Sequence, residues 1–194
     1  MIHFFIFRMK TIFLSLIALT GIFSAYGNSS FLVLRSLEDG AVVKNASSKA
    51  EPLRRASYLP SGSRVTVRPR SGIEVLGAGC QFRFGSETSF TIEGGAIALH
   101  QGSLMFLSRK IGVEYPVSGP EVSLKLSGIG TGMVEVEPNG GLKLLCVLGR
   151  IVIGSGDGSF ELLPGELVFA KPGGRGLGDR INVDLETVVK SSYL

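Results

Sequence analysis

Tryptophan is absent from this chain of 194 residues, and histidine and cysteine occur twice each. His3 lies in the N-terminal segment described below, so His100 is the one histidine left to the rest of the chain. A single histidine excludes a His-rich metal site and leaves a Ser-His-Asp triad dependent on one residue. Because the sequence also has no Gly-x-Ser-x-Gly turn, we expect no enzyme activity, metal or cofactor, and we interpret His100 as a surface turn residue.

Charge of either sign is sparse, since charged residues make up 19% of the chain. The formal net charge is +4, and without the two positive charges of Arg8 and Lys10 it falls to +2. So small an excess indicates no particular partner. Lysine and arginine form no cluster interleaved with aromatic residues, so we expect no nucleic-acid partner.

The chain begins with a candidate targeting segment. Met9–Thr11 is a short basic region, Ile12–Phe23 is an apolar run, and Ala25 and Gly27 place small residues where a signal peptidase reads. These features predict a signal peptide over residues 1–27, cleaved after Gly27, with Met9 as an alternative start. The competing hypothesis is a retained anchor, but the apolar run is shorter than the about 20 residues that cross a bilayer. We expect a periplasmic or secreted protein that contacts a membrane only if this segment is uncleaved.

Two cysteines, Cys80 and Cys146, follow the targeting segment, and each lies on the apolar side of a predicted strand. In an oxidising compartment they are candidates for a disulfide. Two separate buried thiols are equally compatible with the pattern, because free cysteine packs as a small hydrophobe. Both alternatives stay open.

Glycine is abundant, with 27 residues, and it separates short runs of β-forming residues. The most regular pattern lies in Val117–Ile153. Apolar and acidic residues alternate in Met133–Glu137, and Leu142, Leu144, Cys146 and Leu148 are predicted to share one face of the next strand. Between them, Pro138–Gly141 contains Asn-Gly, which favours a tight hairpin turn.

The same reasoning applied to the whole chain predicts an all-β fold, a single domain of many short strands and hairpins. Glycines at 132, 149 and 165 precede strands at similar intervals, so a jelly-roll or sandwich and a β-solenoid-like arrangement are both open. Asn45–Arg55 lacks apolar periodicity and is predicted to be a loop. The other predicted strands are Phe31–Leu37, Ala41–Lys44, Val65–Val67, Ile73–Leu76, Cys80–Phe84, Ser89–Ile92, Ala96–His100 and Leu104–Leu107.

The C-terminal part has a different composition. Lys171–Gly178 is rich in glycine and is predicted to be a flexible linker. Asn182–Lys190 has an apolar face and a candidate N-cap in Asp184, so the tail is either a short helix or a frayed end. The predicted organisation is the signal peptide (1–27), N-terminal strands and a loop (28–58), a β-domain (59–172), and a linker with a C-terminal tail (173–194).

Three further patterns superficially suggest binding sites. Gly128–Gly132 resembles a nucleotide loop, but it lacks the P-loop lysine and a following helix, so we interpret it as the entry to a strand. Gly154–Ser159 resembles one calcium-binding repeat and is better explained as a hairpin turn. Glu135 and Glu137 share a strand face and are interpreted as solvated residues. A glycan site would have to use the tyrosines Tyr58, Tyr115 and Tyr193, and Tyr115 is placed at a predicted strand end.

Over residues 59–172 the chain resembles the FecR-like periplasmic domain family. Pro60–Val65 resembles its opening glycine and strand, Ile73–Ile92 its paired strands, and Gly130-Thr131 the Gly-Thr pair that enters a strand. Val147–Ile153 and Leu163–Val168 resemble the closing strand and its turn. The resemblance implies an all-β domain in the bacterial cell envelope.

The best-known members of this family are membrane regulators that pass a transport signal to a cytoplasmic sigma factor. Such a regulator has a cytoplasmic segment, whereas here only the short segment Met1–Lys10 lies ahead of the apolar run. We therefore expect a stand-alone secreted domain, a non-catalytic binding or scaffold module whose partner is an unknown envelope protein or glycan. The alternatives are a membrane-anchored periplasmic regulator of the anti-sigma or iron-transport type and a glycan-binding β-module.

Overall fold

The computed structural model of the protein describes residues 31–37, 40–44, 50–155 and 158–191. The predicted signal peptide and its cleavage site lie outside these residues. The described residues form sixteen strands and one helix: β1 Phe31–Leu37, β2 Ala41–Lys44, β3 Glu51–Pro52, β4 Tyr58–Leu59, β5 Arg64–Val67, β6 Gly72–Gly77, β7 Cys80–Phe84, β8 Ser89–Glu93, β9 Ala96–Gln101, β10 Ser103–Ser108, β11 Tyr115–Ser118, β12 Ser123–Val136, β13 Leu142–Ser155, β14 Gly158–Leu162, β15 Glu166–Ala170, β16 Ile181–Asn182 and α1 Leu185–Ser191.

The hairpin of β12 and β13 is the centre of the fold. The two strands pair antiparallel over most of their length, from Lys125 opposite Gly154 to Val136 opposite Leu142. In the turn between them, the Gly140 N–H donates to the Glu137 carbonyl oxygen at 2.9 Å. The predicted hairpin is confirmed, although each strand has 14 residues and is much longer than its alternating pattern indicated.

One continuous sheet curls around this hairpin, and its two halves face each other. The first half contains β11, β9, β8, β5, β2 and β3 on one side of the hairpin and β14 on the other. The second half contains β10, β7, β6, β1 and β4, with β15 and β16 on the far side. Apart from the parallel pair of β9 and β11, the strands pair antiparallel, which favours the sandwich-like alternative over a solenoid.

Aromatic side chains fill the space between the halves. Phe84 of β7 stacks on Phe90 of β8, with ring centroids 3.6 Å apart. Tyr115 of β11 contacts Phe82 and Phe106 of the opposite half edge-on. Tyr115 was predicted to end a strand, but it begins β11 and is fully buried. Such pairs are typical of a sandwich core, in which both inner faces contribute side chains.

β12 and β13 pass from one half of the sheet to the other near Gly130 and Gly149, which lie opposite each other. The register shifts here, because Thr131 pairs with Leu148 while Gly132 pairs with Cys146, so Val147 is an extra residue in β13. Such a bulge reverses the inward and outward sides of the strand. Leu142, Leu144 and Cys146 are buried as predicted, but the prediction for Leu148 was wrong, since it is 64% exposed.

The curled sheet has two distinct ends. Phe31, the Ala78–Gly79 turn and the Gly130–Gly149 pair lie at one end, which we call the N-terminal end. The Pro138–Gly141 turn lies at the opposite end, which we call the hairpin end.

Two segments that were predicted to be irregular contain ordered structure. Within the predicted loop Asn45–Arg55, Pro52 pairs with Val42 as part of β3, while residues 45–49 lie outside the described ones. The glycine-rich segment Lys171–Gly178 was predicted to be flexible, but its backbone is hydrogen-bonded. Lys171 donates to Gly176, Gly173 to Glu121 and Gly178 to Phe169, at 2.8–3.1 Å. The glycine-rich composition predicted flexibility because it does not reveal hydrogen-bond partners, least of all one as distant in sequence as Glu121.

Of the two alternatives for the C-terminal tail, the structure shows the helix, which begins at Leu185 rather than Asn182. Asp184 caps it: the Glu186 N–H donates to Asp184 Oδ1 at 3.0 Å, and the Thr187 hydroxyl donates to Oδ2 at 2.7 Å. These hydrogen bonds lower the pKa of Asp184 below its usual value, and the one from Thr187 has the larger effect. Asn182, which was included in the candidate helix, instead forms β16 together with Ile181, and β16 pairs with β15.

Candidate functional site

The outer face of the second half of the sheet carries an apolar row that crosses five strands. Its members are directly opposite one another in register, and they are Met105, Met133, Leu145, Leu167 and Ile181. Cross-strand neighbours of this kind pack side by side. Leu145 and Leu167 are buried although they point away from the main core, whereas Ile181 is 45% exposed. The outer face therefore has a small apolar cluster of its own.

An open groove of about 1070 Å³ lies beside this cluster and extends to the hairpin end. Met133, Leu145 and Leu167 line its apolar part, and Val188 of α1 also borders it. Its polar part is lined by residues that include Arg70, Glu87, Gln101, Glu135 and Lys143. Grooves that combine apolar walls with a few polar groups are the usual form of a ligand site, so this groove is the candidate binding site.

Lys143 links the two acidic residues that the sequence placed on one strand face. It forms an ion pair with Glu135, the residue opposite it in β12, and its Nζ lies 3.8 Å from Glu137 Oε1. The side chains are 27–47% exposed, so Glu135 and Glu137 point outward as predicted, but they are ion-paired rather than isolated. Partly exposed ion pairs contribute little to stability. Glu135 and Lys143 line the groove, so their charges can contact a ligand bound there.

His100 lies near the end of β9 with its side chain exposed. Its Nε2 is hydrogen-bonded to the Thr91 hydroxyl at 2.7 Å. Partial burial lowers the pKa of His100, and the nearby Arg64 lowers it further. His100 also borders a shallow depression of about 500 Å³ near Glu121 and Glu137. Among the residues that the structure describes, the imidazole has no side-chain hydrogen bond other than the one to Thr91, so no carboxylate orients it as in a catalytic triad.

Cys80 and Cys146 are free, buried thiols, so the structure favours the separate-thiol alternative over a disulfide. The Cys80 thiol donates to the Leu107 carbonyl oxygen at 3.0 Å. Burial raises the pKa of Cys80 to about 12 and also raises that of Cys146. Because the thiolate is the reactive species, both cysteines are structural rather than reactive.

The glycine-rich patterns have structural roles. Gly128–Gly132 lies inside β12, not at its entry, and forms the corner between the two halves. In the Gly154–Ser159 pattern, Ser155 pairs with Gly158, as in a hairpin, while residues 156 and 157 lie outside the described part. Among all the residues that the structure describes, no group of three or more His, Cys, Asp or Glu side chains is arranged to hold a metal ion.

The two tyrosines that the structure describes do not form a shared platform for a glycan. Tyr58 is 66% exposed, whereas Tyr115 is buried between the two halves of the sheet. Tyr193 lies outside the described residues. As for membrane segments, no helix within residues 31–37, 40–44, 50–155 and 158–191 has the length and apolar character needed to cross a bilayer.

No family model matches the chain, and no curated protein matches it either. Its fold is similar to two crystal structures of a proposed anti-sigma factor from Parabacteroides distasonis ATCC 8503. Both have a TM-score of 0.51, at 16% and 15% sequence identity, and cover 65% of this chain and 62% of the other. The chain thus spans about three fifths of the length of these structures. At this identity the similarity shows the fold alone.

Proposed function

We propose that this protein is an extracytoplasmic regulator of signal transduction of the anti-sigma type, held at the membrane by its N-terminal apolar segment. The observation that supports the proposal most strongly is the fold that the chain shares with the proposed anti-sigma factor, over 65% of its own length. The resemblance to FecR-like domains, seen independently in the sequence, points to the same class. This regulator replaces the secreted scaffold as the preferred hypothesis.

The N-terminal sequence is compatible with a retained anchor. Residues 11–27 carry no charged side chain, and their number matches the lower limit of the about 17–25 residues in transmembrane helices. Arg8 and Lys10 precede this segment, and positive residues favour the cytoplasmic side. In this arrangement the β-domain lies outside the cytoplasm.

The groove gives the regulator a place to receive a signal. It combines the apolar surface of Met133, Leu145 and Leu167 with the charges of Glu135 and Lys143. A secreted module that binds a ligand in the same groove is the second candidate, since a groove of this kind is equally suited to a stand-alone binding protein. The two candidates differ in whether the domain must be attached to a membrane.

Transcription in the host provides the test. A strain that lacks the gene is complemented with the full chain or with a variant in which residues 1–27 are replaced by a signal peptide of known cleavage. We expect the deletion to change the expression of genes controlled by an extracytoplasmic-function sigma factor, and we expect only the full chain to restore it. Equal restoration by the cleaved variant would contradict the anchored regulator and favour the secreted module, and an unchanged transcriptome would contradict any regulatory role.

A further inference from the structure

We propose that the N-terminal end of the β-domain is a docking surface for a phospholipid bilayer that contains anionic lipid. This inference rests on the proposed function, because it takes residues 11–27 to be retained as the anchor. It adds a second, reversible contact with the membrane, made by the folded domain itself.

The length of the connecting chain places this end next to the membrane. Three residues, 28–30, separate Gly27 from Phe31, where β1 begins. The four Cα-to-Cα steps from Gly27 to Phe31 span at most about 14 Å when fully extended. The β-domain of an anchored chain therefore has its N-terminal end within about 14 Å of the point where the anchor leaves the bilayer.

Exposed apolar side chains are concentrated at the same end. Among the described residues, eight large apolar side chains are more than one third exposed. Six of these eight lie at the N-terminal end, namely Tyr58, Leu76, Ile111, Ile129, Leu148 and Leu163. Scattered exposed apolar residues are common on soluble domains, but their collection at one end indicates a contact surface.

The fold explains why these six residues meet. Tyr58 and Leu76 lie on either side of Leu32, the second residue of β1. Ile129 and Leu148 flank the corner where β12 and β13 cross between the halves. The other two are in connecting segments: Ile111 follows β10, and Leu163 follows β14.

Two cations accompany the apolar side chains. Arg109 and Lys110 are exposed in the loop after β10, and neither forms an ion pair with a described residue. The Lys110 side chain is placed beside the Ala78–Gly79 turn, since a Cβ at Gly79 would lie 3.5 Å from Lys110 Cδ. We call these two residues and the six apolar ones the tip surface.

Two acidic side chains near this end form ion pairs within the domain: Glu114 pairs with Lys125 at 3.5 Å, and Glu161 pairs with Arg150 at 3.4 Å. Glu93, at the end of β8, is exposed and forms no ion pair with a described residue. Because Arg109 and Lys110 have no acidic partner among the described residues, their charges are left to interact with lipid phosphates. Apolar side chains that enter the acyl boundary, a tyrosine at the headgroups and nearby cations are the features by which a protein surface binds a bilayer.

Docking can be measured with the full chain reconstituted in bilayers of phosphatidylcholine, with and without phosphatidylglycerol. A polarity-sensitive fluorophore is attached to Ile111→Cys in the tip surface or to Pro138→Cys at the hairpin end, where Pro138 is exposed. The native cysteines are buried and do not compete for the label. A quencher carried by the lipid then reports which end of the domain contacts the bilayer.

We expect the label at position 111 to be quenched in bilayers with phosphatidylglycerol and the label at position 138 to stay unquenched. R109Q/K110Q should shift the equilibrium toward the undocked domain by about 30-fold, the effect of two surface cations. The matched variant R68Q/K171Q removes two exposed cations near the hairpin end and should leave quenching unchanged.

An unquenched label at position 111 in a chain that remains in the bilayer would overturn the docking surface while leaving the anchored regulator intact. Equal loss of quenching in the two double variants would also overturn the docking surface. It would show that cations at either end of the domain affect membrane contact equally. If the protein isolated from cells lacks residues 1–27, the anchor is not retained. That result would overturn the proposed function, and the docking surface with it.

Discussion

Gly130 occupies a position in β12 where a side chain cannot fit. Its φ of +156° is one that residues with a side chain rarely adopt, and a Cβ would overlap the carbonyl oxygen of Leu148 in the paired strand. Gly149, directly opposite, has a φ of +76°, and a Cβ there would overlap the Ile129 carbonyl oxygen. The close approach of the two backbones at the corner therefore depends on paired glycines.

Gly130→Ala should lower the free energy of unfolding by about 3 kcal/mol or more, because relief of the overlap would require the corner of the sheet to open. Thermal or urea unfolding followed by circular dichroism measures the change. Gly154→Ala is the matched control, since a Cβ at Gly154 would make ordinary contacts of 3.5 Å or more with Lys125. Equal stability of the two variants would contradict the role given to the corner.

The burial of two ionisable side chains in the core makes the stability of the fold depend on pH in the alkaline range. It raises the pKa of Cys80 from 9.0 and that of Tyr115 from 10.0, each to about 12. Both groups ionise more readily in the unfolded chain, so their contribution to stability is complete below about pH 9 and is lost as the pH rises toward 12.

Urea unfolding at pH 8, 10 and 11 should therefore show falling stability, by at most about 1.4 kcal/mol per pH unit for each group. The double variant Cys80→Ala, Tyr115→Phe removes both ionisations and should lose less stability between pH 8 and 11 than the wild type. The same loss in both proteins would show that other groups cause the alkaline sensitivity.

At the scale of single elements, the alternation of apolar and polar residues predicted the hairpin and the first half of β13 correctly. It failed at Leu148 because residues 144–148 are all apolar, so nothing in the pattern marks Val147 as the bulged residue. The bulge arises from the need to carry the hairpin across a corner, which is a property of the whole sheet. In the same way, the groove joins residues from distant parts of the chain, and no local motif indicated it.

The C-terminal helix is an element whose stability depends on a side chain outside it. Asp184 accepts hydrogen bonds from the Glu186 N–H and the Thr187 hydroxyl, and Glu186 pairs with Lys190 one turn later. Because the lowered pKa of Asp184 keeps it ionised, the cap persists above the ordinary carboxyl pKa and is lost as the pH falls through the lowered value.

Asp184→Ala should therefore increase amide hydrogen exchange in residues 185–191 at pH 7 and leave the global unfolding midpoint nearly unchanged, while Asp184→Asn should keep most of the protection. Mass spectrometry of peptides from this region measures both. Unchanged exchange in the alanine variant would show that contacts with the sheet, rather than the cap, hold α1 in place.

At the scale of the whole molecule, the sequence predicted the all-β fold but not the way its ends differ. The tip surface combines residues from β4, β6, β12, β13 and two loops, which come together only when the sheet curls. The groove lies on the outer face toward the hairpin end. A regulator anchored near Phe31 would thus present its groove away from the bilayer, where a ligand can reach it.

Fractionation of cells followed by the intact mass of the protein distinguishes an anchored regulator from a secreted module. We expect a protein that stays in the membrane pellet after a carbonate wash, needs detergent for release, and has a mass that includes residues 11–27. A protein in the soluble periplasmic or secreted fraction that begins at Asn28 would rule out membrane attachment.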